Sequence, residues 1–163
     1  MKSLIGFFDR VPIMQHALAG LVRWDDHLST GNPAIDAQHR AIFNLIGEID
    51  ELWRNGAGVA QLRGIADKTS RMLETHFRCE ERMFAKTGYP ALAEHTREHD
   101  EILEDLAAIR ESLNECSGMR PGNAGLSLCN FILCVTMAHG LKSDGDYCTY
   151  ITDETGKEST GCA

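Results

Sequence analysis

The stretch of sequence that decides the fold contains His76-Phe-Arg-Cys-Glu80, a turn at Gly88-Tyr89-Pro90, and then His95-Thr-Arg-Glu-His99. Each end of this stretch places two side chains that can bind a metal at positions i and i+4. On an α-helix such residues are neighbours on one face, with Cβ atoms about 5–6 Å apart. Two such pairs on consecutive helices would direct four side chains into one space, which predicts a metal site between helices.

The composition is typical of a single globular domain, with 163 residues of which 43% are hydrophobic and 25% are charged. The formal net charge of −8 argues against a general nucleic-acid-binding protein. No run of about 18 apolar residues is present, so we expect neither a transmembrane helix nor a membrane partner. Near the start, Asp9 and Arg10 interrupt a short apolar patch before it reaches the length of a signal peptide, which favours a cytoplasmic location.

Six cysteines are spread along the chain without a C-x-x-C pair or the spacing of a zinc-binding motif. A chain of this length can build a hydrophobic core and does not need a disulfide scaffold. We therefore expect reduced and mostly buried thiols in a cytosolic protein, and a structural role for Cys79 beside Glu80.

Four segments carry the apolar periodicity of amphipathic helices, and turn-forming residues separate them. The predicted helices cover residues 33–54, 59–86, 90–114 and 124–150. Long amphipathic helices with short connections predict an all-α, up-down-up-down four-helix bundle over residues 24–151. Residues 1–23 are too apolar for a disordered tail, so we expect an N-terminal extension that packs on the bundle or on a protein partner. Residues 152–163 form a polar C-terminal tail.

Every predicted helix carries a side chain that can bind a metal on its apolar face, and the full set is His39, His76, Glu80, His95, His99, His139 and Asp144. One histidine in such a place is usually an ordinary core residue. Five histidines and two carboxylates would bury too many polar groups unless an ion satisfied them. Seven ligands exceed the needs of one structural zinc, which is the alternative, and suit two octahedral ions with bridging carboxylates. Mixed imidazole and carboxylate ligands favour iron.

The order and spacing of these residues resemble those of the bacterial hemerythrins over about residues 24–150. The resemblance rests on Trp24, Gly31, Ile35-Asp36-Ala-Gln38-His39, His76-Phe-Arg-Cys-Glu80, Gly88-Tyr89-Pro90, Glu94-His95-Thr-Arg-Glu-His99-Asp100, His139, Asp144 and Tyr147. It implies two iron ions joined by an oxo or hydroxo bridge. His95, His99 and His139 would hold a coordinatively saturated iron. His39 and His76 would hold the second iron, which keeps an open position for dioxygen. Glu80 and Asp144 would bridge the two ions.

The resemblance also implies a ligand pocket, with Ile42 and Phe77 at lining positions. In the fourth helix, Val135, Thr136 and Gly140 stand where relatives often carry Trp, Leu and an aliphatic residue. We therefore expect a roomier and more polar pocket, from which the oxygenated form autoxidises faster or which admits peroxide or nitric oxide. The leading hypothesis is reversible dioxygen binding for storage, delivery or sensing. The alternatives are a redox enzyme acting on peroxide or nitric oxide, and a signalling module that acts through residues 1–23.

Overall fold

The computed structural model describes residues 24–115, 122–140 and 150, and its regular elements are all helical. A 3₁₀ turn at Asp26–Leu28 leads into α1 (Pro33–Arg54), which is followed by α2 (Val59–Thr87) and α3 (Leu92–Glu115). The helix α4 (Gly122–Cys134) continues without a break into a π-helical turn at Val135–Gly140. The prediction of an all-α fold is confirmed.

Local capping explains why the helices begin and end where they do. The Asn32 side-chain oxygen accepts hydrogen bonds from the N–H groups of Ala34 (3.0 Å) and Ile35 (3.3 Å), which is the usual N-cap of a helix. At the end of α2, Gly88 has a φ of +73°, and the Tyr89 N–H donates to the Phe84 carbonyl at 2.9 Å. A left-handed residue here closes the helix, and glycine adopts this conformation without a steric penalty.

Two predicted helix boundaries need correction. The helix α3 begins at Leu92, not at Pro90, because Pro90 belongs to the turn and the first helical hydrogen bond runs from the His95 N–H to the Ala91 carbonyl. The fourth helix was expected to continue as a regular α-helix to residue 150, but it becomes a π turn at Val135. Residues 141–149, which include Asp144, lie outside the described residues.

The four helices close into a ring. The helix α2 packs on α1 and α3, and α4 packs on α3 and α1. Because short connections join successive helices from α1 to α3, these neighbours run antiparallel, as in an up-down-up-down bundle. Ion pairs also join neighbouring helices at the surface. Lys68 of α2 lies 2.6 Å from Glu48 of α1, and Arg110 of α3 lies 2.5 Å from Asp67 of α2.

The bundle interior has three levels. A large apolar cluster fills the end where α1 and α3 finish and α2 and α4 begin, and it includes Ile46, Ile49, Leu62, Leu106, Ile109, Leu113 and Leu128. A smaller cluster at the opposite end consists of Ile35, Cys79, Met83 and Phe84. Buried polar side chains occupy the level between the two clusters, and they are His39, His76, Glu80, His95, His99 and His139. The fold therefore encloses the polar residues between two apolar layers.

Cys79 corrects the expectation that all the cysteines are reduced. It is buried and disulfide-bonded, and its partner is a cysteine outside the described side chains. Disulfides are rare in cytosolic proteins, so this bond weighs against the cytoplasmic location, which stays a prediction. The half-buried Cys134 is a free thiol.

The predicted domain boundaries also stay predictions, because residues 1–23 and 151–163 lie outside the described residues. Within the described residues, no helix is both long enough and apolar enough to cross a membrane.

Candidate metal centre

Six of the seven predicted metal ligands meet at the polar level of the bundle, and the seventh, Asp144, lies outside the described residues. They form two groups whose donor atoms lie within 4.8 Å of one another: His39, His76 and Glu80 in the first, and Glu80, His95, His99 and His139 in the second. All six side chains are buried. Each of the four helices contributes at least one of them, which is the arrangement that bundle proteins use to build metal sites in their cores.

The Glu80 carboxylate belongs to both groups and offers one oxygen to each. Its Oε1 lies 3.4 Å from the His76 Nε2 atom and 3.8 Å from that of His39. Its Oε2 lies 3.4 Å, 3.3 Å and 3.8 Å from the Nε2 atoms of His95, His99 and His139, respectively. A carboxylate in this position can bind two ions at once, one through each oxygen.

The outer ring nitrogens of two histidines have hydrogen-bond acceptors. The Nδ1–H of His76 donates to the Gln38 side-chain oxygen at 3.1 Å, and the Nδ1–H of His99 donates to the Glu81 carboxylate at 2.8 Å. A neutral imidazole carries a proton on only one nitrogen, so the inner Nε2 atom of both rings presents a lone pair. Outer acceptors of this kind fix the tautomer of metal-binding histidines.

The inner atoms of the centre therefore repel one another unless a cation lies between them. The His99 lone pair faces a carboxylate oxygen of Glu80 at 3.3 Å, and the other oxygen of Glu80 has no hydrogen-bond partner within the described structure. Buried acceptors without a donor are costly. These residues fit metal ions because a cation would satisfy all the converging lone pairs.

The spacing of the nitrogens also fits coordination. The Nε2 atoms of His39 and His76 are 3.2 Å apart, and those of His99 and His139 are 3.0 Å apart. Two ligands at right angles around an ion, with bonds of 2.0–2.1 Å, would be about 3 Å apart. The donors are imidazole nitrogens and carboxylate oxygens, a set that suits iron better than a soft, thiolate-preferring ion.

Burial keeps the histidines ready to bind a cation. Removal from water lowers the pKa of His76 to about 3, although the nearby Glu80 charge acts to raise it. Burial lowers the pKa of His39 in the same way. Burial alone would raise the pKa of the Glu80 carboxyl, but the electrostatic influence of the His76 ring and of the nearby His139, His95 and His99 rings holds that pKa well below its usual value. At neutral pH His39 and His76 are therefore neutral imidazoles beside an ionised Glu80 carboxylate.

A small cavity lies beside His39 and His76. Its volume is about 20 Å³, which is enough for one molecule the size of water. It is lined by Trp24, Leu28, His39, Ile42, Phe43, Leu73, His76, Val135, Thr136 and His139. Of the predicted pocket residues, Ile42, Val135 and Thr136 lie on its wall, and the surroundings of Gly140 lie outside the described side chains.

Phe77 is not among the residues that line this cavity, and its place in a ligand pocket stays a prediction. Its ring stacks on the His99 ring, with centroids 3.8 Å apart and planes 9° apart. It also meets His76 at 5.6 Å and His139 at 5.5 Å. Phe77 therefore packs among the histidines of both groups and fixes their positions.

Thr136 is less polar in this setting than its residue type suggests. Its hydroxyl donates to the carbonyls of Ile132 and Leu133, at 2.9 Å and 3.0 Å. The hydroxyl hydrogen is thus used in hydrogen bonds within its own helix, as is common for threonine in helices. The expectation of a more polar pocket does not follow from Thr136, and the expectation of a roomier pocket stays a prediction.

The loop before α1 forms one wall of the cavity. The Asp36 carboxylate holds this loop by accepting hydrogen bonds from the Thr30 N–H and hydroxyl, both at 2.8 Å, and from the Ser29 hydroxyl at 2.5 Å. Trp24 lies over His39, with ring centroids 6.1 Å apart, and its edge-to-face partner is Phe43. The loop thus places an aromatic ring over the cavity.

The sequence reasoning missed two kinds of residue. The first kind accepts hydrogen bonds from the ring nitrogens of the histidines: Gln38, which precedes His39 in the chain, and Glu81, which follows Glu80. Their polar side chains at the margin of an apolar helix face were the signal that could have identified them. Of the other cavity residues, Phe43 and Leu73 are buried apolar residues of α1 and α2, while Leu28 carried no sequence signal of its own.

The fold and the site together define a four-helix bundle that can hold metal ions without haem, through buried histidines and a carboxylate. Residues 30–150 match the model of the hemerythrin family, which is described as the hemerythrin HHE cation-binding domain. The chain therefore belongs to the hemerythrin family and is a non-haem iron-binding protein.

Individual relatives support the same assignment. A myohemerythrin of Riftia pachyptila is 29% identical over 94 residues, which cover 58% of this chain and 72% of that protein. A hemerythrin-like protein of Naegleria gruberi is 28% identical over 87 residues, or 53% of this chain and 67% of that protein. A bacteriohemerythrin of Stenotrophomonas maltophilia is 29% identical over 90 residues, which cover 55% of this chain and only 58% of that protein.

Proposed function

We propose that this protein holds a pair of iron ions and reversibly binds dioxygen beside one of them, for storage, delivery or sensing. The observation that carries the proposal is the Glu80 carboxylate, which offers one oxygen to each of two histidine groups. One ion would be held by Glu80 with His95, His99 and His139, and the other by Glu80 with His39 and His76. When bound, the iron ions supply the electrons that dioxygen accepts. Asp144 as a second bridging residue, and a solvent-derived oxo or hydroxo bridge, are parts of the proposal that rest on the family resemblance.

The two groups are unequal, which supports a single binding position for dioxygen. The group of His39 and His76 has one histidine fewer than the other group. The cavity is lined by both of these histidines and by only one histidine of the other group, His139, and it has room for only a small molecule. Dioxygen in this cavity would therefore meet the ion with fewer protein ligands. Ile42, Leu73 and Val135 provide apolar walls that limit the access of water.

The cavity wall favours reversible binding over the enzymatic alternative. Reduction of peroxide or nitric oxide consumes protons, so an enzyme of that kind benefits from a placed acid. Among the described residues of the wall, none is a carboxylate, and the three histidines belong to the metal-binding set. The Thr136 hydroxyl donates to its own helix, and the Trp24 indole N–H is a hydrogen-bond donor but not an acid. The signalling alternative depends on residues 1–23 and stays a prediction.

The proposal is tested by counting iron and then adding oxygen. Purified protein should contain two iron ions per chain. After anaerobic reduction, oxygen should produce a visible absorption band that disappears when oxygen is removed and returns over repeated cycles. A band that never reverses would favour an oxidase or scavenger, and a protein that contains zinc in place of iron would overturn the proposal.

The matched variants are Glu80→Gln and Glu81→Gln, which remove neighbouring carboxylates while keeping the side-chain size. Glu80→Gln should reduce the iron content to fewer than one ion per chain, because a neutral amide cannot satisfy two cations. Glu81→Gln should keep both ions, because an amide oxygen can still accept the hydrogen bond from the outer nitrogen of His99. Equal iron loss in the two variants would contradict a bridging role for Glu80.

A further inference from the structure

Two histidines on opposite sides of Glu80 differ in the group that accepts their outer N–H. His76 donates to the neutral side-chain amide of Gln38 at 3.1 Å, whereas His99 donates to the carboxylate of Glu81 at 2.8 Å. Their inner nitrogens face different oxygens of Glu80, at 3.4 Å and 3.3 Å. One half of the centre therefore has a histidine with a neutral acceptor, and the other half has a histidine with a charged acceptor.

The charge of the acceptor changes the donor strength of the ring. A carboxylate attracts the Nδ1 proton more strongly than an amide oxygen does, and this leaves more electron density on the inner nitrogen. Hydrogen bonds to a charged acceptor are also shorter and roughly twice as strong, in keeping with the shorter distance at Glu81. A stronger donor stabilises the more highly charged state of a metal ion. The half of the centre that contains His99 should therefore favour the oxidised ion.

The surroundings of the two acceptors permit this difference. The Glu81 side chain is 29% exposed and lines a groove between α2 and α3, so its charge keeps contact with water. Gln38 lines a separate groove whose wall includes Lys68 and Arg71. These positive charges would stabilise a carboxylate at position 38. The electrostatic surroundings therefore do not require a neutral residue there.

We propose that Glu81 and Gln38 are positioning residues that give the two halves of the centre unequal reduction potentials. Glu81, acting through His99, stabilises the oxidised state of the ion held by the three-histidine group. Gln38, acting through His76, leaves the ion beside the cavity easier to keep reduced, which is the state that dioxygen needs. This inference rests on the proposed iron pair but not on reversible oxygen binding.

The test is a redox titration under anaerobic conditions of the iron-loaded full chain and three variants. Glu81→Gln keeps the size and the hydrogen bond but removes the charge, and Gln38→Glu adds a charge at the other histidine. The third variant combines both changes. Glu104→Gln is the matched control, since it removes an exposed carboxylate from α3, the helix that carries His99. Mössbauer spectra of half-reduced samples report which ion is oxidised first.

Glu81→Gln should shift the ratio of oxidised to reduced ion in its half by about tenfold towards the reduced state. For one electron this is a rise of about 59 mV in the reduction potential. Gln38→Glu should lower the potential of the other half by a similar amount, and the double variant should reverse the order in which the ions oxidise. The Glu104→Gln control should leave both potentials unchanged.

Three outcomes separate the possible failures. If both single variants retain two irons and the parent potentials, the inference is wrong while the proposed iron pair stands. If Glu104→Gln raises both potentials as much as Glu81→Gln does, the effect is one of overall charge, and the inference is also overturned. If the parent protein binds no pair of irons, the proposed function fails first and the inference falls with it. Should Glu81→Gln fail to fold, Gln38→Glu alone still tests the direction of the shift.

Discussion

The interior of the bundle has two halves that are made from the same kind of helical face but serve different purposes. At one end, Ile49, Leu62 and Leu113 fill the space between the helices with side chains that are at most 1% exposed. The polar half is the middle level of the bundle, next to this apolar cluster, where the inward-facing positions hold histidines and Glu80, whose polar atoms converge. Burial of apolar side chains stabilises the fold by about 1.5–3 kcal/mol each, whereas burial of polar groups without partners costs free energy.

The burial of side chains in the apolar half therefore offsets the free-energy cost of burying polar groups in the polar half. The donor positions are set by the same helices that bury the large apolar cluster. Variants that act on only one half should therefore separate metal binding from folding.

Phe77→Ala and Phe131→Ala form a matched pair, because both rings belong to the large apolar cluster and only Phe77 also contacts the histidines. Both rings are buried, at 2% and 5% exposure, and each replacement should lower the free energy of unfolding of the metal-free protein by about 3–5 kcal/mol. Only Phe77 stacks on His99, so only its loss should also weaken metal binding, by about 10–100-fold. Urea unfolding and competitive metal titration measure the two quantities. Equal losses of metal affinity would show that the halves are not separable.

Acid should destabilise the metal-free protein through its polar half. Burial lowers the pKa of His76 from 6.5 to about 3, so between these values the unfolded chain binds a proton that the folded chain does not. Stability due to His76 is therefore complete above pH 6.5 and is lost as the pH falls towards 3, by on the order of 3 kcal/mol between pH 7 and pH 4. Denaturant unfolding at a series of pH values measures this slope.

The controls for the acid effect are His76→Gln and His27→Gln. The first should flatten the slope between pH 6.5 and pH 4, although His39, whose pKa is also lowered by burial, should leave part of it. The second replaces an exposed histidine and should leave the slope as it is in the parent protein. A parent slope that His76→Gln does not change would contradict the assignment.

The smallest expected effect concerns the cavity, where the two halves meet. Thr136→Leu combined with Gly140→Ile should add apolar bulk to the fourth helix and lengthen the lifetime of the oxygenated form several-fold by excluding water. The decay of the oxygen-dependent absorption band measures this lifetime. Unchanged autoxidation in the double variant would show that these positions do not control access, and Ser127→Ala, an exposed position on the same helix, is the control.

Much of the scaffold was predictable because its signals are local. The predicted bounds of α1 agree with the structure, and those of α2 differ by one residue, because Asn55-Gly56 and Gly88 mark the helix ends chemically. The convergence of the histidines was also predictable, since spacing on a helical face and antiparallel order together set their level in the bundle.

Other features depend on contacts that a single sequence does not encode locally. The hydrogen bonds of Gln38 and Glu81 join side chains 38 and 18 positions apart, and their partners depend on how the helices rotate against one another. The position of Phe77 among the histidines depends on the same rotation. The disulfide at Cys79 and the π turn at Val135–Gly140 are further examples, because a regular apolar periodicity gives no sign of either.

The π turn has a consequence for how this helix tolerates changes in length. A π turn closes its hydrogen bonds over five residues where an α-helix uses four, so it accommodates an extra residue within a continuous helix. Each residue of an α-helix advances the chain by about 100° around the axis. Loss of one residue from the regular part of α4 would turn His139 by about this angle away from Glu80. Loss of one residue within the π turn would instead restore a regular helix and turn His139 by much less. The π turn is therefore the part of this helix in which a change in length disturbs the metal centre least, and replacement of single side chains would not detect this property.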